Sequence, residues 1–172
     1  MNKNELRKIY KYIRNNIKDR NIQNEIIFNK VISLEKVKKA DTILIYVSFN
    51  NEVDTLNIIK YFLGKKKVAV PKVNGNEMNF YYIDSFNDLS KGSFNILEPI
   101  TTNKVTNFDN SICIVPGLCF DKENYRLGYG KGYYDKFLSN KNIYTIGLSY
   151  KETIIKKLPI DKYDIKLDKV IH

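Results

Sequence analysis

The sequence predicts an α/β fold, a three-layer α/β/α sandwich with a mainly parallel sheet and helices at its N-terminus. Two observations lead to this class. Short, continuously apolar runs, typical of strands buried on both faces, recur along the chain, and segments with helical spacing separate them. The chain has 172 residues, the length of one ordinary domain, and we expect a single domain over residues 1–172.

Two helices are predicted before the first strand. In the first helix, apolar side chains recur every three or four residues, and they are Leu6, Ile9, Tyr10, Ile13 and Ile17. The second helix is predicted over residues 23–39, with inward-facing side chains at Ile27, Val31 and Leu34. A single apolar face is the pattern of a helix that packs on a core.

A strand–helix–strand unit follows the two helices. Residues 43–47 form an apolar run of strand length, and residues 56–63 return to helical spacing. Gly64 stands where a helix commonly ends in a left-handed glycine, and residues 68–70 are a short strand that we expect to end at Pro71. Because the connections are short, this is a βαβ unit, and its crossover is expected to be right-handed.

The second half of the chain is predicted to continue the sheet. Further elements are strands at residues 78–83, 112–115, 144–148 and 169–171 and a helix at residues 133–138. Residues 85–110 are polar and irregular, and the loop that begins at Leu118 has no clear period. In a Rossmann-like sheet, ligands bind outside the carboxyl ends of the strands, so we expect a site at the loops after Val47, Val70 and Val115.

The composition excludes some classes of protein and leaves the partner open. Hydrophobic residues make up 43% of the chain and charged residues 28%, so neither a disordered tail nor a disulfide-rich miniprotein fits. The net charge of +10 indicates an anionic partner, which is a nucleic acid, a membrane surface or an anionic small molecule. Only four of the 29 cationic residues are arginines, so a lysine-rich, solvated surface is the alternative explanation.

The cysteines and the N-terminus favour a reducing, cytoplasmic location. Cys113, Cys119 and His172 are too few for a zinc site of the usual kind. A disulfide between the two cysteines stays open. The first residues lack the apolar stretch of a signal peptide, and no apolar run approaches the ~20 residues of a membrane span, so we expect no membrane partner.

The most informative segment is residues 126–135, which read RLGYGKGYYD. Three alternating glycines permit positive φ and a close approach of an anion to backbone N–H groups. Arg126 and Lys131 add positive charge, and the segment leads into a helix whose N-terminus favours phosphate. Asp135 is a hard oxygen ligand suited to Mg²⁺ on that phosphate. The spacing matches neither a Walker loop nor a dinucleotide fingerprint, and a flexible hairpin tip is the alternative.

This segment, preceded by VPG at residues 115–117 and FD at residues 120–121, resembles the signature of the 5-formyltetrahydrofolate cyclo-ligase family. Shorter similarities follow in the family's order at residues 3–7, 48–55, 97–99, 158–159 and 163–168. The resemblance implies conversion of 5-formyltetrahydrofolate to 5,10-methenyltetrahydrofolate. It further implies that ATP and Mg²⁺ are required, that ADP and phosphate are released, and that the intermediate is a phosphorylated formyl group, an iminium phosphate.

The resemblance also implies roles for individual residues. Lys131 and Arg126 are the expected catalytic cations. The expected ATP-binding residues are Lys3, Asn4, Glu5, Leu6, Arg7, Arg126, Leu127, Gly128, Tyr129, Gly130, Lys131, Gly132, Tyr133 and Tyr134. The expected folate-binding residues are Val47, Glu52, Tyr129 and Tyr133, and the expected Mg²⁺ ligands are Asp135 and Asp168. For the two tyrosines at 133 and 134, a place in the core is the alternative, and for Asp168 it is a solvated carboxylate.

Two other functions stay open at this point. A nucleic-acid binding module would explain the charge, but the sequence has no arginine-rich face or reader motif, so we expect no nucleic-acid partner. A sugar-phosphate isomerase or acyl-CoA transferase on a related α/β scaffold has no evident need for residues 126–135. Departures from the family pattern occur at Tyr163, Lys72 and Val47, where the family often has His, Arg and a larger apolar residue. The size and fold favour a monomer.

Overall fold

The computed structural model describes residues 1–172 and contains five α-helices and eleven strands. The helices are α1 (Lys3–Asn15), α2 (Arg20–Ser33), α3 (Glu35–Lys39), α4 (Leu56–Phe62) and α5 (Tyr133–Leu138). The first six strands are β1 (Thr42–Ile45), β2 (Lys67–Asn74), β3 (Glu77–Ile83), β4 (Leu89–Lys91), β5 (Leu97–Pro99) and β6 (Ser111–Val115). The remaining strands are β7 (Cys119–Asp121), β8 (Arg126–Leu127), β9 (Tyr144–Leu148), β10 (Ile154–Ile155) and β11 (Lys169–Ile171).

The central sheet has six strands in the order β11-β9-β6-β1-β2-β3. All neighbouring strands are parallel except β2 and β3, which form an antiparallel hairpin at one edge. Ile43 on β1 lies between Val68 on β2 and Ile112 on β6. The predicted α/β class with a mainly parallel sheet is therefore confirmed.

Alternate side chains of the sheet enter two separate cores. Ile43 and Ile45 face the larger core, which is covered by α2, α3 and α4. Leu44 faces the opposite core, which contains Phe137 of α5 and Phe80 of β3. Both faces of the central strands are buried, which explains why these strands are continuous apolar runs in the sequence.

The first helix packs on a smaller sheet rather than on the central one. This sheet has the order β10-β7-β8, and Leu6 of α1 is buried with Cys119, Leu127 and Leu158. Its central strand begins just after β6, and its last strand, β8, leads directly into the glycines at 128–132. Helix α1 is thereby held beside the segment that the sequence singled out.

The predicted single helix over residues 23–39 is wrong, because it is two helices. Leu34 has φ −70° and ψ 128°, an extended conformation that ends α2 and precedes α3. The side chain of Ser33 donates to the carbonyl of Asn29 at 2.5 Å, which accompanies the end of α2. Leu34 still packs partly buried against the larger core, so the apolar spacing continues across the break.

The predicted end of the second strand at Pro71 is also wrong. Strand β2 runs on to Asn74, and Pro71 pairs with Phe80 of β3. Pairing between β1 and β2 covers Lys67 to Ala69 only, so Pro71 has a neighbouring strand on one side. Its missing N–H therefore falls on the side that needs no donor.

Two regions expected to be irregular contain short strands. Residues 85–110 include the antiparallel pair of β4 and β5, and the region after Leu118 includes β7 and β8. Strands of two or three residues are too short to give a sequence period. Both cysteines are buried and unpaired, and none of the five helices has the length and apolar character of a membrane span.

Candidate active site

Three loops meet at the carboxyl edge of the central sheet. They follow β1, β6 and β9, as the Rossmann-like reading predicts for the first two. A small cavity lies between them and is lined by Arg14, Tyr46, Glu52, Val53, Pro116, Gly117, Leu148, Ser149, Tyr150 and Thr153. The loop expected after Val70 is not part of this group, because β2 continues past that residue into the hairpin with β3.

The loop after β1 is closed by reciprocal hydrogen bonds. The N–H of Ser48 donates to Thr55 Oγ1 at 2.9 Å, and the N–H of Thr55 donates to Ser48 Oγ at 3.1 Å. Thr55 is fully buried, and its hydroxyl also donates to the carbonyl of Tyr46 at 2.6 Å. The intervening residues thus form a compact loop with its ends fastened, and Glu52 lies within it.

The carboxylate of Glu52 is held at both oxygens. One accepts from the Tyr129 hydroxyl at 2.7 Å, and the other accepts from the N–H of Phe49 at 2.9 Å. Burial raises the pKa of Glu52 above its ordinary value, while these hydrogen bonds and the charge of Arg14 partly oppose the increase. The loop after β1 thereby presents an oriented carboxylate at the edge of the sheet.

Residues 128–132, which we call the glycine loop, carry backbone N–H groups that donate to no backbone carbonyl. Gly130 has φ +105° and Gly132 has φ +72°, conformations that side chains with a Cβ rarely adopt. Lys131 is exposed and forms no ion pair within the chain. Free N–H groups beside a free cation are the combination that receives an anion.

Helix α1 carries two predicted ATP-binding cations, Lys3 and Arg7, and the two have different partners. Arg7 lies on the glycine loop, where its Nε donates to the carbonyl of Gly128 at 2.9 Å. Lys3 instead lies 2.8 Å from a carboxylate oxygen of Asp161 and 2.5 Å from one of Asp164. Burial alone would lower the pKa of Lys3, but the hydrogen bonds and charges of these carboxylates outweigh it and raise the pKa. Only Arg7 is therefore brought to the glycines.

The residues between these two cations have structural contacts. Asn4 accepts from Arg7 Nη1 at 2.6 Å, which fixes the guanidinium. Glu5 closes a capping box with Asn2 at the start of α1. Leu6 is buried against Leu127. Their assignment to the nucleotide stays a prediction.

The side chain of Arg126 is buried, with 6% of it exposed. Its Nη2 lies 3.3 Å from Asp135 Oδ2, its Nη1 donates to the carbonyl of Pro116 at 3.1 Å, and its Nε has no partner in the chain. The guanidinium also lies 5.3 Å from the ring centroid of Tyr134. A buried donor without a partner, next to the glycine loop, is a group that a bound anion would satisfy.

The other predicted binding residues are the aromatic Tyr133 and Tyr134 and the apolar Val47. The hydroxyl of Tyr133 donates to the carbonyl of Gly75 in the β2–β3 turn at 3.2 Å. Tyr134 is partly buried and packs edge-on against Phe80. Val47 is 6% exposed and belongs to the larger core. Their contacts with folate or nucleotide stay predictions.

A family model described as the 5-formyltetrahydrofolate cyclo-ligase family matches residues 1–172. This chain belongs to the 5-formyltetrahydrofolate cyclo-ligase family. It is 31% identical to a mouse protein named 5-formyltetrahydrofolate cyclo-ligase, over 87% of this chain and 82% of that protein. The family is one of enzymes, and the recognition drawn from residues 126–135 is confirmed.

Solved structures of cyclo-ligase relatives share the fold. The NMR structure of 5,10-methenyltetrahydrofolate synthetase from Aquifex aeolicus is 35% identical, covers 99% of this chain and 89% of its own, and superimposes with a TM-score of 0.89. A 5,10-methenyltetrahydrofolate synthetase from Mycoplasma pneumoniae is 28% identical, covers 99% and 98%, and has a TM-score of 0.80.

The two predicted Mg²⁺ ligands, Asp135 and Asp168, differ in their surroundings. Asp135 supplies a carboxylate beside the glycine loop, although Arg126 and the N–H of Ile165 already contact its two oxygens. Asp168 lies at the amino end of β9, where one oxygen accepts from the N–H and hydroxyl of Thr145. Because Mg²⁺ on a nucleotide needs only one or two carboxylates, Asp135 by itself would be sufficient, and its role as a ligand stays a prediction. Asp168 as a second ligand stays a prediction.

Arg14 is a further residue of the candidate site, one that the sequence pattern did not single out. Only 6% of Arg14 is exposed, and it contacts both the glycine loop and the loop that carries Glu52. Its position contains a signal, because it falls within the apolar stripe that the sequence predicts for the first helix, four residues after Tyr10 and three before Ile17. A charged residue on the buried face of a helix is a candidate for a functional contact.

Proposed function

We propose that this chain converts 5-formyltetrahydrofolate to 5,10-methenyltetrahydrofolate, using ATP with Mg²⁺ and releasing ADP and phosphate. The observation that carries the proposal is the glycine loop, whose N–H groups are unpaired, lying in hydrogen-bonding contact with Glu52 through Tyr129. One side of this arrangement suits phosphates, and the other offers a carboxylate to an organic ligand. The family and the named relatives support the same reaction.

The nucleotide half of the proposal rests on charge and on free donors. The glycine loop provides N–H groups, Lys131 provides an exposed cation without an internal partner, and Arg7 adds a guanidinium against Gly130. Arg126 contributes a buried N–H donor that has no partner in the chain. Asp135 would hold Mg²⁺ beside the phosphates, and the ion would supply further neutralisation of the charge on the transferring group.

The folate half rests on Glu52. A pterin presents adjacent N–H donors, and an ionised carboxylate accepts two such hydrogen bonds in one plane. Tyr129 and the N–H of Phe49 hold this carboxylate in one orientation. Because Tyr129 belongs to the glycine loop, the two ligands would meet where the formyl oxygen faces the terminal phosphate.

The chemistry needs no nucleophile from the protein. The γ-phosphoryl group moves to the formyl oxygen, so that a P–O bond forms while the bond from phosphorus to the ADP oxygen breaks. N10 of the folate then attacks the activated carbon and loses its proton, and the C–O bond breaks to release phosphate. Lys131 and Arg126 would stabilise the charge on the transferring group, and the loops would position the reactants.

The test is a direct assay. Purified protein with 5-formyltetrahydrofolate, ATP and Mg²⁺ should develop the absorbance of the conjugated methenyl product, with one ADP formed for each product molecule. Reactions without ATP and without Mg²⁺ are the controls. A folded protein that forms no chromophore, or forms it equally without ATP, would contradict the proposal.

We also propose that the enzyme acts as a monomer in the cytoplasm. Cys113 and Cys119 are buried and unpaired, which suits a reducing compartment. Sedimentation with both substrates present tests the oligomeric state, and a dimer in that experiment would contradict the monomer. The positive net charge of +10 would favour encounter with two anionic substrates.

A further inference from the structure

Arg14 is a buried cation that the reaction scheme does not use. Its exposed fraction is 6%, and it forms no ion pair with any carboxylate of the chain. Its Nε donates to Asn51 Oδ1 at 2.7 Å, and its Nη1 lies 3.4 Å from the carbonyl of Gly117. Its Nη2 donates to the hydroxyl of Tyr129 at 2.9 Å. Keeping a guanidinium away from water without a counter-ion is unfavourable, which calls for a compensating role.

Tyr129 links Arg14 to Glu52 in one direction only. A guanidinium donates hydrogen bonds and accepts none, so the Tyr129 hydroxyl must accept from Arg14. The single proton of that hydroxyl is then directed at Glu52, 2.7 Å away. The guanidinium carbon of Arg14 also lies 5.7 Å from the ring centroid of Tyr129, which holds the ring against α1.

Arg14 is the one group close to Glu52 that carries a permanent charge. The other titratable neighbours are Tyr46 directly after β1, Tyr134 of α5 and Tyr129 of the glycine loop. Burial raises the pKa of each of these tyrosines, so all three are neutral around pH 7. Arg14 therefore supplies the positive charge in this neighbourhood, and two consecutive hydrogen bonds through the Tyr129 hydroxyl connect it to Glu52.

We propose that Arg14 is a positioning residue for the folate site, which acts through Tyr129 to orient the Glu52 carboxylate toward the pterin. The inference rests on the proposed function, because the contact between Glu52 and folate belongs to that proposal. The chain Arg14–Tyr129–Glu52 joins α1, the glycine loop and the loop after β1 into one unit.

The first test replaces Tyr129 by phenylalanine. Tyr129 is 48% exposed, so losing its hydroxyl leaves the fold intact. We expect the KM for 5-formyltetrahydrofolate to rise ~10-fold or more, the loss typical of a hydrogen bond to a charged group, while the KM for ATP changes less than ~2-fold. A folate KM equal to that of the wild type would overturn the proposal, whether or not variants of Arg14 fold.

The second test is a double-mutant cycle. Arg14→Gln alone is expected to raise the folate KM by a factor similar to that of Tyr129→Phe, and Arg14→Lys, which keeps a charge and a donor, should restore part of the loss. In the Tyr129→Phe background, Arg14→Gln should add less than ~2-fold, because its path to Glu52 is already cut. Multiplicative effects in the double variant would show that Arg14 does not act through Tyr129.

Tyr12→Phe is the matched control. Tyr12 lies on α1 like Arg14, is 71% exposed and lies outside the candidate site. We expect removal of its hydroxyl to leave the folate KM unchanged, and an increase equal to that in Tyr129→Phe would show that the effect does not depend on the contact with Glu52 and would overturn the proposal. A wild-type enzyme without turnover refutes the proposed function, whereas turnover with unaltered KM in Tyr129→Phe refutes only this inference.

Discussion

Replacing Gly130 by alanine isolates the backbone conformation of the glycine loop. Gly130 has φ +105°, far from the left-handed region near +57° that other residues occasionally occupy. A Cβ at this position would lie 3.5 Å from Cζ of Arg7, an ordinary van der Waals distance. The substitution therefore introduces backbone strain without a steric clash.

The size of the effect follows from that strain. A residue held in a sparsely populated backbone region costs about 1–3 kcal/mol, and a free loop escapes that cost by relaxing. ATP would then have to restore the strained conformation on binding, so the KM for ATP should rise about 5- to 150-fold. Global stability should change little, because the loop relaxes when ATP is absent.

Gly64→Ala is the matched control for this experiment. Gly64 has φ +83°, and a Cβ there would meet nothing within 4 Å, but it lies after α4 and away from the carboxyl edge of the sheet. The Gly64→Ala substitution should lower the free energy of unfolding by about 1–2 kcal/mol, because the helix end cannot relax freely. The KM for ATP should stay at the wild-type value. Methenyl absorbance at varied ATP and thermal unfolding measure both quantities. A KM for ATP within about twofold of the wild type in Gly130→Ala would refute the reasoning.

Three further predictions concern charged groups. Lys131→Ala should lower kcat at least ~10²-fold without changing the melting temperature, because its ammonium has no internal partner, and Lys122→Ala, another exposed lysine, should leave kcat unchanged. Asp135→Asn should reduce the free energy of unfolding by about 3 kcal/mol in chemical denaturation, because it leaves the Arg126 side chain buried without its carboxylate. The same substitution should weaken the Mg²⁺ dependence of the rate. An unaltered Mg²⁺ titration would remove Asp135 as a ligand. Burial raises the pKa of Glu52 above 4.5, and folate binding needs the ionised form, so kcat/KM for folate should fall as pH drops through that raised pKa. Glu52→Gln should lack this acidic limb, and a Gln variant with the wild-type pH profile would contradict the assignment.

The elements that the sequence predicted correctly are those whose local pattern agrees with their final environment. Strands such as β1 and β6 are buried on both faces, so a run of apolar residues identifies them without knowledge of their neighbours. Gly64 ends α4 with a left-handed glycine as expected. Helix α5 begins directly after Gly132, where the glycines of the sequence predict its start.

The errors arose where a partner strand or a local break decided the structure. Pro71 is tolerated inside β2 because β1 no longer pairs at that point, which is a property of the sheet. The break at Leu34 leaves the apolar spacing unchanged, so a single helix over residues 23–39 fits the pattern equally well. Strand β10 consists of two residues that pair with β7, more than thirty positions earlier in the chain.

The candidate site shows the same division. The sequence by itself determined the family, the α/β class and the segment 126–135, because these depend on residue types and short spacings. Only the tertiary structure decided which charged side chains form ion pairs within the chain and which do not. Lys3 meets Asp161 across 158 positions, whereas Lys131 meets no carboxylate at all.

Arg14 is the clearest case of that decision. Its position on α1 says only that a cation lies on an apolar face, but its partners Asn51 and Tyr129 come from distant loops. Charge–charge and hydrogen-bond energies depend on distances of a few ångströms and on burial, and both arise when separate segments pack together. The residue types were therefore set by the sequence, and their pairing was decided by the fold.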